Sequence, residues 1–425
     1  MALGVRLCRP ILLAVLVLGF LAVSLRLSLR EKDQWASLQA EFGDEVYLKT
    51  ASDLSPSLRC DPATVDKRIR KCYAESICID PSNGLFLPSE SDGRDDNEIN
   101  LTGADPESDF YWRVTKHRLD PKTPVYYLPT ATLVLGKSYF PYHLTHFLVN
   151  NAAAMFTQLS AAPPGPTILG IVDLYSEGKK PIAHDWLNAT SVWPLRLHTP
   201  FTLSRSVPYD RITHETHDAP ASIRGSVPVC IARATIGLGN ICPFTYCAGE
   251  QPEGTVPRMR DQVLRYYGIT ATARGPRARE EPRILVVKRR ERRRLLNADE
   301  VAAALTAAHP RWNVRLVELE GWSFQQQVAV FANADVVVTI HGNAEGNMLW
   351  MEKGSVIVEL FAYQIRTTFF ESLASSSEMK YAPVYCDVDE CLATLEGKET
   401  YDFYRDLIAN VTDVVQAVET NVMLL

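Results

Sequence analysis

The chain has 425 residues, 46% hydrophobic and 22% charged, which fits a folded protein with room for two domains and excludes a disordered one. Its formal net charge of −6 excludes a general attraction to nucleic acid or anionic membranes, so any anion site must come from a local basic cluster.

The chain opens on a targeting pattern: Arg6 and Arg9 precede an uncharged run that begins at Pro10 and is closed by Arg26. The run is shorter than the ~20 residues of a full membrane span. It reads either as a secretory signal, with Ala22-Val23-Ser24 as a cleavage site, or as an uncleaved anchor. The basic N-terminal flank favours the anchor, a single-pass type II topology over residues 1–29. Both readings send residue 30 onward into the lumen. Residues 30–109 mix a helical stretch, EKDQWASLQAEF, with the acidic SESDGRDDNEIN, which has no hydrophobic periodicity, and read as a stem with a small cysteine-tied region.

From residue 110 to 255 apolar runs alternate with polar punctuation, as in VYYLPTATLVLG, a helix from His143 to Leu159 and PTILGIVDLY, which predicts an α/β domain. Residues 256–282 start helically and pass through ATARGPRAREEP, read as a linker. Residues 283–397 are more regular. RILVVKR, WNVRLVEL, DVVVTIHG and SVIVELF read as strands; between the first three lie the helices NADEVAAALTAAH, N-capped by Asn297, and SFQQQVAVFANA. This alternation predicts a parallel, doubly wound sheet with ligands at the carboxyl ends of its strands. Residues 398–425 are expected to form a C-terminal helix that packs back on the N-terminal domain.

Eight cysteines lie beyond the membrane segment: Cys60, Cys72, Cys78, Cys230, Cys242, Cys247, Cys386 and Cys391. An even lumenal set points to disulfides of unspecified pairing. Sequons at Asn100, Asn188 and Asn410 agree with that address.

Four stretches carry chemistry. Val336-Val337-Val338-Thr339-Ile340 runs directly into His341-Gly342-Asn343-Ala344-Glu345-Gly346-Asn347, a strand, a glycine turn and a helix start. Backbone N–H groups there can cradle a diphosphate, although glycine also serves simply to turn a chain. Glu359 closes an otherwise apolar strand, where a buried carboxylate needs partners: the hydroxyls of a ribose, or an ion pair with a cation such as Arg366. Lys288-Arg289-Arg290-Glu291-Arg292-Arg293-Arg294 follows the strand RILVV at its carboxyl end; one or two of its arginines suit a diphosphate, and a solvated basic loop is the alternative. His143 and His146, one turn apart, lack the third ligand and the HExxH pattern of a zinc site, so no metal is assigned. His146 reads as a base in an interdomain cleft or as a structural histidine.

In their order these motifs resemble glycosyltransferase family 61, a family of xylosyl-, arabinosyl- and N-acetylglucosaminyltransferases. His146-Phe147-Leu148-Val149-Asn150-Asn151 is similar to the family's HFxxDN stretch and PVCIARATIGLG to its next segment. Arg289 and Arg293, before Leu295-Leu296-Asn297, are similar to its sRxxxRxixN pattern, and FANADVVVTIHG with NMLWMEKGSVIVELF to its core. The resemblance implies a GT-B architecture, two Rossmann-like domains facing a cleft, preceded here by the anchor and stem. It implies inverting transfer of a xylose, GlcNAc or arabinose-class sugar from a nucleotide-sugar, UDP-linked, to a hydroxyl of a glycan or glycoprotein acceptor in the Golgi or ER. No cofactor is implied beyond the donor substrate, and no Asp-x-Asp metal site is assigned. By position Arg289 and Arg293 would hold the diphosphate, His341 and Gly342 would line it, Asn347 would fix the loop, Glu359 would bind ribose and His146 would be the catalytic base. Two positions depart from the pattern. Glu345 stands where a small or apolar residue is usual, and as a carboxylate it would repel a diphosphate. Asn150 replaces an aspartate and cannot act as a base. The alternative these departures favour is a non-catalytic lumenal glycan- or nucleotide-binding protein.

Overall fold

The computed structural model describes residues 32–36, 38–40, 46–61, 71–80, 84–89, 93–100, 111–137, 144–146, 148, 152–153, 156–158, 167–174, 195–203, 214–215, 227–237, 254–271, 280–361, 367–386, 406–423 and 425. The anchor segment, His143, Asn150, Asn151, Asn188, Cys242, Cys247, Arg366 and Cys391 lie outside them, as do the side chains of Asn100 and His146. No helix among the described residues is long and apolar enough to cross a membrane.

The first half builds a mixed sheet. Its strands are β1 (Tyr47–Thr50), β2 (Ser57–Cys60), β3 (Cys72–Asp80), β4 (Gly84–Ser89), β5 (Gly93–Asn100), β6 (Tyr111–Arg118), β7 (Pro124–Lys137), β8 (Thr167–Leu174), β9 (Leu195–Leu203), β10 (His214–Glu215) and β11 (Val229–Ile236). They run in the order β10-β9-β8-β7-β11-β3-β4-β6-β5, with β1 on β7 and β2 on β3. The run β9-β8-β7-β11 is parallel, and β3 joins it antiparallel to β11. The region expected as a stem therefore contributes strands to this sheet. Ala74, Ile77 and Ile79 of β3 pack with Leu128, Leu133, Val229 and Ile231 in one apolar cluster, which a detached stem could not do. The acidic stretch holds β5, the last strand in the order, where polar residues discourage further pairing. Disulfides Cys60–Cys72 and Cys78–Cys230 staple β3 to β2 and to β11, and Cys386 is also disulfide-bonded.

The second half is the parallel sheet that the sequence predicts. Strands β12 (Arg283–Lys288), β13 (Asn313–Glu318), β14 (Val336–Ile340), β15 (Val356–Phe361) and β16 (Lys380–Tyr385) lie in the order β13-β12-β14-β15-β16, every pair parallel. Among the helices are α1 (Leu144–His146), α2 (Thr255–Tyr267), α3 (Ala298–Ala308), α4 (Phe324–Ala332), α5 (Phe369–Ser376) and α6 (Val411–Val422). Side chains alternate across a strand, so each central strand feeds two cores. Ile284, Val286, Val336, Val338, Val356 and Val358 meet Val301 and Leu305 of α3 and Val414, Val418 and Val422 of α6. On the other face Leu285, Val287, Val337 and Ile357 meet α2, α4 and α5. The C-terminal helix thus packs on its own sheet, not back on the N-terminal domain, because its valine stripe fits the groove beside α3. Asn297 stands at the start of α3, but its amide pairs with Ala409 rather than capping, at 2.8 and 2.9 Å.

Candidate functional site

The chain leaves β12 toward β13 on one side and returns to β14 on the other, so a crevice opens at the carboxyl ends of β12 and β14. Open parallel sheets bind ligands at such a reversal. Both predicted motifs meet there: the basic run follows β12, and His341-Gly342 follows β14.

Gly342 has φ 154° and ψ −163°, a region open essentially to glycine alone. A Cβ there would lie 2.7 Å from Arg289 Nη1 and 3.1 Å from Arg293 Cζ. The missing side chain is what lets two guanidinium groups rest against the loop. Arg293 adopts a left-handed φ of 53° and donates from Nη1 to His341 O at 3.1 Å. Arg289 Nη1 is buried with no hydrogen-bond partner. Burial lowers the Arg289 pKa, while Glu320 and Glu345 pull it back up. Three of the other basic residues are tied elsewhere: Lys288 to Asp299 at 3.0 Å, Arg290 to Glu318, and Arg294 to Asp406 at 2.5 Å. The arrangement separates the two arginines at the crevice from their neighbours in the run.

Behind the loop lies a buried polar network. His341 Nδ1 pairs with Glu359, whose other oxygen accepts a hydrogen bond from the Tyr381 hydroxyl at 2.5 Å. The imidazole stacks on Phe361 and meets Phe370 edge-on. Burial and the neighbouring Glu359 push the Tyr381 phenol far above its ordinary pKa, so it stays a donor. Glu359 is 0% exposed with both oxygens engaged. A buried carboxylate needs partners, and Glu359 has two inside the protein, His341 and Tyr381.

Glu345 is 1% exposed; it accepts the Gly342 N–H at 2.8 Å, and its other oxygen is buried without a partner. Burial first, then Glu359, raises its pKa well above 4.5, against the Gly342 hydrogen bond and the two arginines. The side chain points into the protein, where burial favours its neutral form and so lessens the repulsion expected of a carboxylate at a diphosphate site. His341, Glu345 and Glu359 each offer a ligand atom within 4.8 Å of the others, the one such metal-capable group among the described residues. The positive charge of Arg289 and Arg293 alongside disfavours a cation there.

Asn347 is fully buried, donating to Gln327 at 3.0 Å and Ala344 O at 3.2 Å and accepting from Trp350 Nε1 at 3.2 Å, so it ties the loop to α4. The loop continues as a 3-10 helix, Asn343–Trp350, where a helix start was expected. A Cβ on Gly346 would come within 2.6 Å of Thr145 Oγ1 and 2.9 Å of its Cα, so this glycine admits α1 against the loop. Thr145 N donates to Asn343 Oδ1 and Thr145 Oγ1 to Asn343 O, both at 2.8 Å. His146 is the next residue. Sequence reasoning missed Tyr381, Thr145 and Asn343. Their roles come from contacts across elements, for which spacing along the chain carries no signal.

The family model described as Glycosyltransferase 61 matches residues 146–358, half of the chain. Protein O-linked-mannose beta-1,4-N-acetylglucosaminyltransferase 2 of Bos taurus is 27% identical over 146 residues, 32% of this chain and 25% of that protein. Beta-1,2-xylosyltransferase XAX1 of Oryza sativa subsp. japonica is 29% identical over 113 residues, 26% of this chain and 19% of that protein. These matches span a quarter or less of either relative. Among solved structures, E. coli heptosyltransferase WaaC with ADP aligns over 69% of this chain and 98% of its own at 11% identity, with a TM-score of 0.28, too low to bear on the fold.

Proposed function

The chain belongs to the glycosyltransferase 61 family, and from that premise we propose that it transfers a sugar of the xylose, GlcNAc or arabinose class from a UDP-sugar to a hydroxyl of a glycan or glycoprotein, with inversion, in a GT-B arrangement. The observation that carries the reading is Arg289 Nη1, buried at the switch point with no protein partner and held there by the absence of a Cβ at Gly342. A diphosphate oxygen supplies the missing acceptor.

In the reaction the acceptor oxygen attacks the sugar C1, the bond from C1 to the phosphate oxygen breaks, and its electron pair leaves with the nucleoside diphosphate. The acceptor proton passes to a base, for which His146 at the end of α1 is the candidate. Arg289, Arg293 and the loop N–H groups meet the charge on the leaving group, and Glu359 holds the His341 ring in place beside them. No metal takes part in this scheme. The disulfides and the sequons support an oxidising, secretory address, and we propose a Golgi or ER membrane protein with its catalytic part in the lumen.

The test is a transfer and hydrolysis screen of UDP-, GDP- and other nucleotide-sugars, beside thermal shifts with the free diphosphates. Stabilisation by one nucleoside diphosphate and turnover of its sugar are expected, undiminished by a chelator. Arg289→Ala and Arg293→Ala should each lower turnover by on the order of 10²-fold with the fold intact. A protein that no nucleotide stabilises, or one that needs added metal, would overturn the scheme.

A further inference from the structure

We propose that Asn343 and Thr145 are positioning residues that couple the nucleotide loop to the turn carrying His146. The inference rests on the nucleotide-sugar reading of this loop. Thr145 is 2% exposed, and both of its donors, N–H and hydroxyl, are spent on Asn343. Gly346 leaves no room between the two elements. Around them Leu144, Leu148, Met348 and Trp350, all buried, form one apolar layer that spans the join.

The covalent geometry makes the coupling short. Arg289 and Arg293 rest on Gly342, one peptide unit from Asn343; Asn343 clasps Thr145, one peptide unit from His146. A diphosphate held by the arginines therefore sets the place of the residue that is to take the acceptor's proton. Misplacing a reacting group by about 1 Å costs on the order of 10²-fold in rate, whereas affinity for the diphosphate comes from the arginines and the loop N–H groups, none of which the Asn343 side chain supplies. Asn343 is thus a residue for kcat, not for nucleotide affinity.

The experiment compares full-length wild type, Asn343→Ala, Thr145→Val and Thr145→Ser. It measures UDP binding by calorimetry, thermal stability, and kcat and KM for both transfer and hydrolysis of UDP-xylose and UDP-GlcNAc. Asn343→Ala and Thr145→Val should bind UDP within about threefold of wild type, and their transfer kcat should fall by about tenfold to a hundredfold. Hydrolysis should fall less than transfer, and Thr145→Ser, which keeps both donors, should match wild type. Asn343→Ala with an unchanged kcat overturns the coupling alone. So does a parallel loss of UDP affinity, kcat and melting temperature, which marks a purely structural contact. Wild type that neither binds UDP nor turns over either sugar removes the nucleotide reading and the coupling with it.

Discussion

Burial and a neighbouring carboxylate raise the Glu345 pKa against the Gly342 N–H and two arginines, and that balance gives its variants a pH signature. A carboxyl whose folded pKa is raised contributes stability that is complete below its unfolded value, near 4.5, and is lost as the pH rises through the folded value. Glu345→Gln keeps an oxygen for the Gly342 N–H and does not ionise. Its melting temperature should therefore match wild type at low pH and exceed it increasingly as the pH climbs above about 4.5. Parallel curves for the two proteins would show that Glu345 is not held neutral. Glu345→Ala should instead lose stability at every pH, by about 1–3 kcal/mol, for leaving the buried Gly342 N–H unpaired. At this scale the sequence singles out His341, Gly342, Arg289, Arg293 and Asn347, since each follows a strand end or turn with a visible pattern. It carried no sign of the partners of Glu345 and Glu359, because Gly342, His341 and Tyr381 meet them only through the packing of the loop, β15 and β16.

Elements were legible where burial imposed a pattern. The runs Ile284–Val287 and Val336–Ile340 are buried throughout, so they read as continuous apolar strands, and Ser323 with Gln326 forms the capping box that starts α4. β5 was not legible, because its acidic sequence has no apolar alternation and its place in the sheet comes from pairing with β6. The Asn297 cap failed for a related reason, since its amide answers Ala409, a residue 112 positions away. α6 has its cap where a sequon also sits: Asn410 Oδ1 accepts from Thr412 N at 3.0 Å and Asp413 N at 3.5 Å, and the residue is exposed. Asn410→Ala should cost about 1 kcal/mol through the lost cap, whereas Asn410→Asp, which keeps the cap and removes the glycan acceptor, should leave the unglycosylated protein's stability within a few tenths. Chemical denaturation of bacterially made protein separates the two, and equal losses would mean that the cap contributes nothing.

Across the whole molecule the two halves are joined by packing as well as by chain. Leu144, Leu148, Ala152 and Phe156 from the first half share one apolar cluster with Phe324, Val328, Met348 and Trp350 from the second. Separating the halves would expose that layer, so they should unfold together. The Cys78–Cys230 bridge belongs to a different apolar cluster and closes a sequence separation of 152 residues between β3 and β11. Removing a native disulfide typically costs about 2–5 kcal/mol. Cys78→Ala with Cys230→Ala should therefore lower the melting temperature of a single calorimetric transition, and the parallel sheet around Gly342 should melt with the first half although no bond within it has changed. A near-ultraviolet signal from Trp350, fully buried in the shared layer, would follow the same shifted transition. If a second transition instead persists at the wild-type temperature, the nucleotide domain stands by itself, and the shared layer is a contact between independent bodies rather than one core.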